Sequence, residues 1–124
     1  MTKDEFNKAY AEFAPTALTL AAKARKQGLL SLDKDIDHEK ADERDIFHYG
    51  LRFTVDAYDS ALFIPILNNI IEQEKDPYTA QFKIIQREAV YGIHQGYDAK
   101  VLFYMLNSLT DIPLKNDKTG AGYK

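Results

Sequence analysis

The feature that most constrains the fold is a helical repeat of apolar side chains between residues 18 and 36. Its positions follow one another at steps of four and three: Leu18, Ala22, Arg25, Leu29, Leu32 and Ile36. This spacing places all six side chains on one stripe of a helix. Arg25 is the one cation in a stripe that otherwise favours burial. Its guanidinium therefore extends to solvent, pairs with a carboxylate such as Asp33 or Asp37, or binds a partner.

The same periodicity runs through most of the 124 residues and predicts an all-α fold. We expect helices over residues 4–13, 15–33, 41–57, 61–75 and 77–95, and a last helix that begins near Asp98 and ends before Pro113. Residues 41–57 form too long a run for a typical strand. Short connections predict a compact bundle of five or six mostly antiparallel helices. We expect one helical domain, 1–114, and a flexible C-terminal tail, 115–124.

Several residues predict where these helices begin and end. Pro15 is expected to separate the first two helices, since proline fits the first turn of a helix. Asp76-Pro77 is a start signal, and Gly96 is a stop signal. Asp59 or Ser60 is expected to cap the fourth helix. The acidic run over residues 33–45 is expected to be a solvated loop or the exposed first turn of a helix, with a solubilising or a binding role.

Composition narrows the class of protein. The chain has no cysteine, which excludes disulfides and cysteine-ligated zinc. Its formal charge is −3 with the two signs mixed, so it lacks the basic stripe of a nucleic-acid-binding protein. The longest apolar run, 61–67, is far shorter than the roughly 20 residues of a membrane-spanning helix, and the first residues do not resemble a secretory leader. We therefore expect a cytoplasmic protein without membrane insertion.

No residue pattern predicts catalysis. His38, His48 and His94 are widely separated, and none of them belongs to a two-histidine metal motif. No nucleophile elbow or glycine-rich phosphate loop occurs. The aromatic residues recur at helical spacing and are expected in the core. We therefore expect a non-enzymatic interaction module with no cofactor and no metal, while a helical enzyme with a pocket of Tyr and Glu residues is a weaker alternative.

Segment 22–37 resembles the cytoplasmic segment that follows the second membrane helix of MotA-type flagellar stator proteins. The residues that match this family pattern in order and spacing are Arg25, Gly28, Leu29, Leu30, Leu32 and Asp33. Segment 45–74 is similar to the continuation of that family, in which an aromatic-rich helix leads to a Val-Asp-Gly-acid turn. Segment 86–108 is similar to the cytoplasmic tail after the fourth membrane helix. Asp76-Pro77 would then mark the place where two membrane spans are absent.

This resemblance implies the cytoplasmic part of a stator without its ion channel. It implies a protein partner, of the type of the rotor protein FliG, that binds through complementary charges. Arg25 and Asp33 are the residues that match the interface of the family, although Asp33 replaces a glutamate. Including the neighbouring charges, the candidate partner-binding residues are Arg25, Lys26, Asp33, Asp35 and Asp37. The alternative is a helical homodimeric scaffold or regulatory protein, unrelated to motility, in which two copies pack through the apolar stripe.

Overall fold

The computed structural model describes residues 1–115, and every regular element in that range is a helix. Its elements are α1 (Lys3–Gln27), a 3-10 helix (Leu29–Asp35), α2 (His38–Asp42), α3 (Ile46–Val55), α4 (Ser60–Glu72), α5 (Pro77–Gln95) and α6 (Ala99–Asn107). The predicted all-helical class is confirmed. The helix number differs from the predicted five or six, since six α-helices and one 3-10 helix are present in this range. The predicted tail lies outside the described residues except for Lys115.

α1 is continuous through Pro15, so the predicted break at this residue is wrong. The proline removes one helical hydrogen bond and typically costs about 3 kcal/mol inside a helix. Burial along one face of α1 offsets this cost, because side chains on both sides of the proline enter the same core. These buried residues are Phe6, Tyr10, Ala14, Ala17, Leu18, Leu20, Ala21 and Ala24. A capping box between Thr2 and Glu5 fixes the start of the helix.

The predicted helix over 15–33 ends earlier than expected. α1 stops at Gln27 because Gly28 adopts a φ of 86°, which side chains other than glycine rarely tolerate. The chain continues as the 3-10 helix rather than as α-helix. The acidic run that follows is also not a simple loop, since it contains α2, capped by the Asp37 carboxylate on the Lys40 amide at 3.1 Å. α3 then begins at Ile46 instead of near residue 41.

The other predicted helix signals are confirmed in most cases. The Asp76 carboxylate accepts a hydrogen bond from the Thr79 amide at 2.8 Å, and Pro77 is the first residue of α5. Gly96 ends α5 with a φ of 80°. Asp98 caps α6. Asp59 occupies the N-cap position of α4, but its side chain makes no capping hydrogen bond.

α5 is the central helix and packs against α1, α3, α4 and α6. α1 and α6 are antiparallel, since Lys3 pairs with Asp111 and Tyr10 donates to the Asn107 side chain, while Arg25 contacts the chain just before α6. The 3-10 helix packs on both α1 and α3. As a result, the C-terminal ends of α1 and α5 lie together at one end of the molecule, beside the start of the 3-10 helix.

Candidate partner-binding surface

The cations predicted from the sequence lie in the last turn of α1, where positive charge stabilises the helix dipole. Both Arg25 and Lys26 are exposed. The Arg25 guanidinium donates a hydrogen bond to the Gly96 carbonyl at the end of α5. Within residues 1–115, Arg25 forms no ion pair, and Lys26 makes neither a hydrogen bond nor an ion pair. An internal salt bridge to Asp33 or Asp37, one alternative for Arg25, is therefore not formed.

The predicted apolar stripe does not lie on a single helix. Leu18 is buried on α1, whereas Leu32 and Ile36 enter the same core from the 3-10 helix and the residue after it. Because Gly28 turns the chain back, these side chains face their own chain instead of solvent. Two copies of this stripe are therefore not available as an exposed dimer surface. Arg25 lies on α1 itself, directly after buried Ala24, and is exposed.

The three predicted acids have different environments. The Asp35 carboxylate forms an ion pair with the Lys23 ammonium at 2.7 Å, and both side chains are about three-quarters buried. Asp37 caps α2. Asp33 is exposed, and its carboxylate forms no hydrogen bond or ion pair in the described part of the structure. Of the three, Asp33 is the acid that stays available to a partner, whereas Asp35 and Asp37 stabilise the segment itself.

A histidine from α3 holds the acidic segment from the other side. The Asp37 amide donates a hydrogen bond to His48 Nδ1 at 3.0 Å. Burial is the main cause that lowers the pKa of His48 below its usual 6.5, and the ammonium of Lys40 lowers it further, while Asp45 and Asp37 act in the opposite direction. The neutral ring is the form that accepts this bond. Sequence reasoning treated His48 as a hydrogen-bonding residue but did not connect it with Asp37.

Sequence reasoning also missed the exposed side chain between these charges. Leu30 has 74% of its surface exposed, the highest fraction among the large apolar residues of the described chain. It follows Arg25 and Lys26 in the sequence, beyond the break at Gly28, and precedes Asp33 by one turn of the 3-10 helix. We refer to these four residues, Arg25, Lys26, Leu30 and Asp33, as the α1 corner. A three-residue period over residues 29–35 would have placed Leu30 on the exposed edge of a 3-10 helix, but this helix was not predicted from the sequence.

The structure supplies two further observations on the class of site. Across residues 1–115, no helix is both apolar enough and long enough for a bilayer crossing. In the same residues, no three side chains of the His, Cys, Asp or Glu type are grouped as a metal site.

Comparison with protein-family models, curated proteins and solved structures gives no match to this chain. The similarity to MotA-type stator proteins therefore stays a prediction from the sequence.

Proposed function

We propose that this chain is a non-enzymatic, cytoplasmic interaction module that resembles the cytoplasmic region of a MotA-type stator. It binds a charged partner of the rotor type through the α1 corner. The observation that supports the proposal is that Lys26 and Asp33, charges of opposite sign that precede and follow exposed Leu30 in the sequence, are both exposed, and neither side chain has a hydrogen bond or an ion pair within residues 1–115. Charges at the rim of an interface steer encounter and set specificity more than they add affinity. Opposite signs on the two sides would also fix the orientation of the partner.

The test is a binding measurement with purified rotor protein FliG from the same organism. We expect the parent chain to bind, and we expect Lys26→Glu to weaken binding by about 10-fold, mainly through a slower association rate. Lys8→Glu is the matched control, since Lys8 is also an exposed α1 lysine and lies near the opposite end of that helix. The control should bind as the parent does. Equal affinities of the two variants, or no binding by the parent chain, would contradict the proposal.

Arg25 needs a separate experiment because it also contacts α5. Arg25→Ala should weaken FliG binding while leaving the fold nearly intact, since the hydrogen bond that it loses is exposed and worth about 1 kcal/mol. If Arg25→Ala instead unfolds the chain and refolded material binds normally, the role of Arg25 is structural. Circular dichroism on each variant separates the two results.

The second candidate is the homodimeric scaffold, now through a surface other than the stripe. Val101 and Tyr104 are exposed three residues apart, on one face of α6, with 44% and 61% of their surfaces accessible. An isologous contact of two such faces would bury both. Sedimentation equilibrium at several concentrations tests this candidate, and Tyr104→Lys should shift any dimer to monomer.

A further inference from the structure

Two open recesses, of about 310 and 300 Å³, adjoin where the turn from α2 to α3 meets α5 and α1. Lys40, Asp45 and Gln86 line both recesses, and we refer to the two together as the Gln86 cleft. Volumes of this order are at the small end of the range for ligand sites. A ligand of the cleft is therefore a small molecule.

Gln86 is the residue of the cleft that packing alone does not explain. It lies on α5 with only 8% of its surface exposed. Within residues 1–115 its side-chain amide makes no hydrogen bond, although an amide can both donate and accept. Gln81, on the same helix, shows the usual arrangement, since it donates to the Leu109 carbonyl at 2.8 Å. A buried amide without a partner is costly, and a ligand in the cleft would supply the missing partner.

A cation and an anion lie next to each other in the part that the two recesses share. The Asp45 amide donates to the Lys40 carbonyl at 2.9 Å, so the two backbones are adjacent. The Asp45 carboxylate accepts from the His48 amide through one oxygen, at 3.1 Å, but it forms no ion pair with Lys40. In the described chain, the Lys40 ammonium has neither a hydrogen bond nor an ion pair. Both charges are thus available to a ligand.

The remaining charges give the cleft no preference for one sign. The charged residues that line it are three cations and three acids: Lys40, Arg44, Lys83, Glu12, Glu43 and Asp45. A simple anion or a simple cation would therefore meet repulsion as well as attraction, whereas a zwitterion can pair with both signs.

The second recess adds an aromatic wall. The rings of Phe47 and Phe82 both meet the ring of Phe13 edge-on, with centroids 4.9 and 5.6 Å apart, and all three residues line this recess. Such a wall suits an apolar group, because a polar group buried against it would lack partners.

We propose that the Gln86 cleft binds a free α-amino acid with an apolar side chain. The carboxylate of the ligand pairs with Lys40 and with the Gln86 amide, and its ammonium pairs with Asp45. The apolar side chain packs against the phenylalanines. This inference is independent of the proposed function, since no residue of the α1 corner takes part.

Isothermal titration calorimetry of the full chain with L-leucine and L-phenylalanine tests the ligand class. We expect at least one of the two to bind, and to bind at least 10-fold more tightly than N-acetyl-L-phenylalanine or L-phenylalaninamide. The first analogue lacks the ammonium and the second lacks the carboxylate, so each leaves one charge of the cleft unpaired. No binding of either amino acid at millimolar concentration, or equal binding of the analogues, would overturn the proposal.

Gln86→Met tests the amide, since it keeps a side chain of similar length. We expect at least a 10-fold loss of affinity for the amino acid and a urea midpoint that does not fall, because no hydrogen bond within the chain is lost. Gln81→Met is the matched control on α5. It should lower the urea midpoint, because it removes the bond to the Leu109 carbonyl, and it should bind the amino acid as the parent does.

Asp45→Asn tests the charge without removing the N-cap of α3, since asparagine caps helices as well as aspartate does. It should weaken amino-acid binding at least 10-fold at an unchanged urea midpoint. If Gln86→Met and Asp45→Asn both bind as the parent does, the cleft is not the amino-acid site, and the proposal is refuted.

Discussion

At the residue scale, three helix ends share one geometry but not one residue type. The residues that adopt a positive φ just after α2, α3 and α5 are Arg44, Ala57 and Gly96. In each case the amide of the following residue donates to a carbonyl five residues earlier, as in a Schellman motif. Only the last of these three positions is a glycine.

Ala57→Gly should stabilise the protein by about 1 kcal/mol, because it removes the steric cost of a φ of 65° for a side chain with a Cβ. Urea unfolding measures the change. The reverse substitution, Gly96→Ala, is the control and should destabilise by a similar amount. A Cβ at Gly96 would meet no atom within 4 Å, so φ alone accounts for its effect. Changes of the same sign in the two variants would contradict this account.

At the scale of elements, the crossing of α3 and α5 depends on a glycine. A Cβ at Gly50 would lie 2.7 Å from Cγ1 of Val90, so the two helices touch at this point. Gly50→Ala gains up to about 1 kcal/mol of helix propensity but loses about 1–3 kcal/mol through overpacking. We expect a net destabilisation in urea unfolding. Adding Val90→Ala should recover part of it, and a stabilised Gly50→Ala variant would show that the helices do not approach so closely.

The contact between α3 and the acidic segment predicts a pH dependence. The folded state lowers the pKa of His48, so below about pH 6.5 the unfolded chain binds more protons than the folded one. Stability should therefore fall as pH decreases from 6.5 towards the lowered pKa, and it should be unaffected by His48 above that window. His48→Asn keeps an acceptor for the Asp37 amide and cannot be protonated there.

Thermal unfolding at a series of pH values measures this contribution. The parent chain should lose stability relative to His48→Asn only on the acidic side of pH 6.5. Parallel curves for the two proteins across this range would contradict the assigned role of His48.

At the scale of the whole molecule, the packing of four helices on α5 predicts one cooperative unit. Residues of α1, α3, α4 and α6 share a single core with this helix. We expect far-UV circular dichroism and tyrosine fluorescence to report the same urea midpoint, as in two-state unfolding. Separate midpoints would mean that part of the chain unfolds on its own, and the prediction of a single domain would then fail.

The sequence predicted most helix ends that depend on a few adjacent residues. Asp76-Pro77, Gly96 and Asp98 act through their own backbone and side-chain geometry, so their local context was sufficient. Pro15 was misread because its local cost is offset by core residues that are distant in sequence. The 3-10 helix was missed because the spacing of Leu29, Leu32 and Ile36 is compatible with an α-helix. The same spacing also fits a 3-10 helix that follows a turn at Gly28.

For the candidate site, the sequence identified the charged residues but not their roles. Arg25, Lys26 and Asp33 are exposed, whereas Asp35 is paired with Lys23 and Asp37 caps α2. Pairings between residues on different elements depend on how the helices pack, and no pattern along the chain contains that information.

The sequence by itself determined the helical class and the boundaries set by Asp76-Pro77, Gly96 and Asp98, since periodicity and capping act over a few neighbouring residues. The tertiary structure alone decided that α1 continues through Pro15 and that Leu30 points to solvent while Leu32 is buried. The physical reason is that burial depends on the whole core. Apolar contacts along α1 outweigh the local cost of Pro15. The turn at Gly28 changes the direction of the chain, so residue spacing alone does not show which side chains after it face the core.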